Sequence, residues 1–147
     1  MNLGIYIFII VGGILQAMGS AMNAQLYKSL VNPWLASLVS FSLIVCFFLC
    51  ATAVIHKPLP SVQQVLDMPW WAPLAGVIGA VAVYAGLVLV GKVGAGPYTG
   101  LSVTAALLTS IAIDHFGWLN VEQHTAHPMR LLGAALMVGG VVLVAKF

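Results

Sequence analysis

Residues 33–55 read PWLASLVSFSLIVCFFLCATAVI and contain no charged side chain. At 1.5 Å per residue, a helix over this stretch rises about 34 Å, enough to cross a hydrocarbon core of about 30 Å. Apolar and polar positions do not alternate, so a β-barrel strand does not fit. The run opens at Asn32-Pro33, where proline's missing N–H falls among donors that a helix start leaves unpaired anyway. Pro33 to Ile55 is therefore read as a transmembrane helix.

Working outward, four more runs have the same character, from about Leu3 to Met22, Trp70 to Val90, Pro97 to Ile113 and Arg130 to Ala145. Met68-Pro69, Gly96-Pro97 and His127-Pro128 precede the last three, as Asn32-Pro33 precedes the second. Trp34, Trp70, Trp71 and Trp118 fall near span ends, where indoles anchor at the membrane interface. The longest loop, His56 to Asp67, has room for one short surface helix at Ser61 to Leu66. The expected fold is an all-α bundle of five transmembrane helices forming a single membrane domain over residues 1–147.

Composition agrees. Charged residues make up 5% of the chain, against about 25% in an ordinary soluble domain, and apolar residues make up 62%. Lipid accepts such a surface provided that the backbone is satisfied internally. Five Lys/Arg residues spread over the chain form no basic patch, so a nucleic-acid partner is excluded. Cys46 and Cys50 share a helix face but have no second ligand pair, and are read as packing residues. Met1-Asn2 lacks the Lys or Arg of a signal peptide, so a retained first span is expected.

Alternating spans place Lys57 and Arg130 on one membrane face and Lys28, Lys92 and Lys146 on the other. Orientation follows the Lys/Arg excess in short loops. Three against two is a small bias, and it is what insertion in both orientations would show. Asp67, Asp114, Glu122 and the four histidines all fall on the first face.

Three motifs carry a resemblance. They are Gly12-Gly13, Gln16 and Asn23-Ala24 leading to Pro33 and Ser40-Phe41; Pro69-Trp70-Trp71-Ala72-Pro73-Leu74-Ala75-Gly76 with Gly79; and Asp114-His115-Phe116-Gly117-Trp118 followed by Arg130-Leu131-Leu132-Gly133-Ala134. Together they resemble DUF606, a bacterial five-span family of the drug/metabolite transporter superfamily. The resemblance implies a location in the bacterial inner membrane and a bundle similar to half of a ten-helix inverted-repeat transporter. Relatives in that superfamily work as antiparallel dimers or as fused inverted repeats. Unlike the small multidrug exporters, this chain has no acidic residue in its first span.

Polar groups inside hydrocarbon need a partner, a water-filled cavity or a ligand. In the first span Gly12, Gln16, Ser20, Asn23 and Tyr27 recur at three- and four-residue spacing and form one face. Gln16 lies near the span's centre, where its amide offers donors and an acceptor without the desolvation cost of a charge. The plain alternative for this face is interhelical hydrogen bonding. Tyr84 in the third span and Ser102 in the fourth complete the candidate substrate-binding set. Small residues at Gly76/Ala80, Gly96/Gly100 and Gly133/Gly140 mark packing seams.

Asp114, the one acid adjoining a span, is read as ordering a loop rather than as a cation site. Glu122, His124 and His127 are too loosely spaced for a metal site. Nothing calls for a cofactor, and no nucleophile–base pairing appears, so an enzyme is not expected. One five-helix half should therefore pair with itself, or with a close homologue, in inverted orientation to carry a small-molecule substrate across the bilayer. The alternative is a non-transporting accessory membrane protein.

Overall fold

Prolines and caps begin the long helices where the sequence breaks. The computed structural model describes residues 3–147. Met1 and Asn2, which entered the argument for a retained first span, lie outside the described residues. Five helices among the described residues are long and apolar enough to cross a membrane, and no strand is found among them. The chain divides into two units, the first ending at Lys92 and the second starting at Val93.

In the first unit, α1 (Leu3–Leu30) and α2 (Pro33–Ile55) pack as a hairpin. Its link is Val31-Asn32 alone. Asn32 takes an extended backbone and its Oδ1 accepts from Trp34 N at 3.0 Å and Leu35 N at 3.3 Å. That satisfies two of the donors a helix start leaves open, with Pro33 filling the first helical position. α1 runs on past Met22, where the apolar run thins, to Leu30. Asn23, Gln25, Lys28 and Ser29 are polar but helix-compatible, and no breaker occurs before Val31. Its 28 residues rise about 42 Å, so its first and last turns both reach out of the hydrocarbon into the headgroup regions.

Val31 closes α1 at φ 60°, its N–H donating to Tyr27 O at 2.8 Å. A β-branched side chain is poorly suited to this left-handed conformation, at a cost of about 1–2 kcal/mol. Val31→Gly should relieve it and raise stability by about 1 kcal/mol, read as a higher unfolding midpoint in detergent. A glycine variant less stable than wild type would disprove the strain.

After α2, whose cap His56 is also left-handed, comes the expected surface helix, α3 (Val62–Leu66). It is held by a capping box: Gln64 N donates to Ser61 Oγ at 3.3 Å and Ser61 N to Gln64 Oε1 at 2.8 Å. Trp70 and Trp71 form a turn, a single 3₁₀ turn spans Ala72–Leu74, and α4 (Ala75–Val93) follows.

The second unit is a hairpin of α5 (Ala95–Phe116) and α6 (Pro128–Lys146). Gly117 ends α5 at φ 63°, its N–H donating to Ile113 O. The Gly96/Gly100 seam lies against α6. A Cβ on Gly100 would stand 3.1 Å from Val141 Cγ2, and one on Gly96 3.9 Å from Val144 Cγ1. Gly76, Gly133 and Gly140 have no neighbouring atom within 4 Å of where a Cβ would be. The small-residue faces around Gly76 on α4 and around Gly133 and Gly140 on α6 are therefore not filled within their own units.

Candidate functional site

Gln16 sits at the midpoint of α1 and is exposed on the chain. Its backbone carbonyl accepts from Ser20 Oγ at 2.9 Å. Ser20 is thereby satisfied within its own helix, the usual fate of a helical hydroxyl. One turn on, Ser40 Oγ of α2 donates to Asn23 Oδ1 at 3.0 Å. This interhelical bond ties α1 to α2 and lies in the wall of a groove of about 560 Å³. Of the α1 face, then, Asn23 is engaged by α2, whereas the Gln16 amide is exposed and has no hydrogen-bond partner among the described residues.

Tyr84 belongs to a second feature. Trp34, Ser37, Leu38 and Phe41 on α2 face Val77, Ala80, Val81 and Tyr84 on α4 across a cleft of about 540 Å³. Both sets follow the three- and four-residue spacing of one helix face. The rings of Trp34 and Tyr84 lie 4.9 Å apart at 33°, a favourable aromatic contact. Ser37 Oγ is buried there without a protein partner, and no charged side chain lines the cleft. Its volume lies within the range of small-molecule sites. Such walls suit an apolar or aromatic solute with one hydrogen-bonding group, because desolvating an ion against them would be costly.

From the sequence, Tyr84 is a site candidate, Trp34 an interface anchor and Phe41 part of a motif, while Ser37 carries no signal. Trp34 remains 72% exposed while its ring packs against that of Tyr84. Ser102, in the second unit, is half-buried on α5. Two positions on, Thr104 is 5% exposed with an unpartnered Oγ1. Thr104 continues the Gly96, Gly100 spacing, and that repeat was the signal for it.

A family model described as "Putative inner membrane exporter, YdcZ" matches residues 4–143. The chain belongs to this family. It is the family also called DUF606, and the match covers almost the whole chain. No curated protein and no solved structure matches. Membership and the five apolar helices make this a multi-pass protein of the inner membrane, of an exporter family.

In this YdcZ-family chain the Asp114-His115-Phe116-Gly117-Trp118 block, which carried much of the resemblance, builds a loop. Arg130 Nη2 donates to Asp114 Oδ2 at 2.7 Å, joining the end of α5 to the start of α6. His124 N donates to Asp114 O at 2.8 Å, Gln123 Nε2 to His115 O at 2.8 Å, and Ala126 N to His115 Nδ1 at 3.2 Å. His127 Nδ1 accepts from Met129 N at 3.3 Å and caps α6. A partly exposed ion pair contributes little energy by itself, so its role is positional. Glu122, His124 and His127 form no metal-binding group among the described residues. Cys46 and Cys50 are exposed free thiols rather than packed in the chain's interior.

Proposed function

We propose that this chain is one half of a small-molecule exporter, completed by a second copy or a close homologue inserted upside down, with alternating access to a cavity between the halves. The observation that carries the reading is Gln16. An amide at the centre of a membrane span, exposed and without a hydrogen-bond partner among the described residues, would stand in hydrocarbon unless another subunit or a cavity covered it. The uncovered glycine faces of α4 and α6 and the near-balanced Lys/Arg distribution support the same arrangement. The cleft beside Trp34, Ser37 and Tyr84 supports an apolar or aromatic solute. Ser20 and Asn23 are assigned to the wall of the shared cavity with Gln16. Translocation by binding and release, with no covalent chemistry, is the role proposed.

The test needs no substrate. In α1, residues whose numbers sum to 33 are equidistant from the midpoint, so an inverted pair brings Ile9 of one copy to the depth of Ala24 of the other. In a parallel pair those positions differ in depth by about 22 Å. With Cys46 and Cys50 replaced by alanine, co-expressed Ile9→Cys and Ala24→Cys chains should cross-link to each other in native membranes, and Ile9→Cys should not cross-link to itself. Ile9–Ile9 products alone, or no product at any α1 position, would count for a parallel pair or an accessory monomer.

A further inference from the structure

A second polar feature of the first unit lies where α1 and α4 end. The C-terminal turns of α1 and α4 together line a cleft of about 360 Å³ whose wall includes Gln25, Tyr27, Lys28 and Lys92. Its apolar side is Ala24, Leu87 and Val88. Both lysines are the basic residues of their helices' last turns, and alternating spans bring those two ends to the same membrane face.

A lysine near a helix C-terminus is ordinary, because it complements the exposed carbonyls. Two lysines from helices more than sixty positions apart in sequence, lining one cleft, concentrate positive charge. No acid offsets it. Of the three acids in the sequence, Asp114 is bound by Arg130 and Asp67 accepts from Gln63, while Glu122 lies in the α5–α6 loop. The Asp114–Arg130 pair is the one salt bridge among the described residues. Beside the charges stand a phenol and an amide that can donate hydrogen bonds. The apolar wall would meet the first methylenes of a chain entering from the bilayer. Basic pockets between transmembrane helices at the membrane surface are matched to anionic headgroups.

We infer that this cleft binds the phosphodiester headgroup of an anionic glycerophospholipid, with Lys28 and Lys92 as its cationic contacts. The site does not depend on the transport reading, since a lipid held here would stabilise the α1–α4 end of the unit in either case.

Binding of phosphatidylglycerol and phosphatidylcholine to the full-length protein in detergent tests this, for example by native mass spectrometry. Phosphatidylglycerol should be retained in preference. Lys28→Gln and Lys92→Gln should each weaken it about fivefold, and the double variant about 25-fold. Lys28→Arg with Lys92→Arg should keep it, which separates lost charge from lost fold. Lys146→Gln, whose Nζ lies 5.5 Å from the Phe147 ring centroid, should leave binding unchanged. A double glutamine variant that holds phosphatidylglycerol as wild type does would overturn the assignment. So would equal retention of phosphatidylcholine, or displacement by millimolar inorganic phosphate, which would mark a free-anion site.

Discussion

Gly100→Leu is expected to force α5 and α6 apart and to destabilise the protein by about 3 kcal/mol or more. At 3.1 Å from Val141 Cγ2, even the Cβ of alanine requires Val141 to yield by a few tenths of an ångström. A leucine needs far more room, and overpacking that forces side chains off-rotamer and shifts backbone commonly costs about 1–3 kcal/mol, occasionally more. The loss cannot be recovered by hydrophobic association, because lipid tails are as apolar as the helix faces, and close packing is what holds the pair together. Gly96→Ala, with 3.9 Å available, should be nearly neutral and serves as the control. Adding Val141→Ala to Gly100→Ala should restore stability, and the non-additivity would measure the contact directly. Thermal unfolding in detergent reads all of these. A Gly100→Leu protein that melts with the wild type would mean that α5 and α6 do not meet there.

The second large effect is functional. Gln16→Leu should lower export of any solute the wild type carries by at least tenfold in proteoliposomes, while leaving helix content and monodispersity intact. The side chain makes no bond to its own chain's other helices, so its loss removes nothing that holds the unit together. It does remove the one amide at mid-span. If that amide also bonds across to the inverted partner, self-association should weaken about 3- to 30-fold, the equivalent of about 0.6–2 kcal/mol. Gln16→Asn, shorter by one methylene, should fall between. A leucine variant that transports at the wild-type rate would remove Gln16 from the cavity.

Much of the architecture was legible because membrane spans announce themselves through length and absence of charge, as Pro33–Ile55 does. Prolines and caps then placed the helix starts closely, with α2 beginning at Pro33 and α6 at Pro128. The end of α1 was the weakest boundary. Hydropathy falls at Asn23, but helical backbone is stopped by conformation rather than by polarity, and the stopping residues are Val31 and Asn32. The loop-ordering role of Asp114 could be read from its place between a span and Gly117-Trp118, although its partner Arg130 could not, being sixteen positions away. Ser37 was invisible for a related reason. A single hydroxyl in an apolar run acquires meaning only from what faces it, and in α2 that is Tyr84 of α4, far along the chain.

The two-residue link between α1 and α2 also bears on how the protein is made. With only Val31 and Asn32 to span the gap, the first helix cannot settle in the bilayer while the second waits in the aqueous phase. Once Ile55 has cleared the ribosome, the pair must enter the lipid in a single event, and the decision about which way to face is taken by both at once. A translocon thus handles the two helices as one hairpin in place of two successive segments, so both take their orientation together.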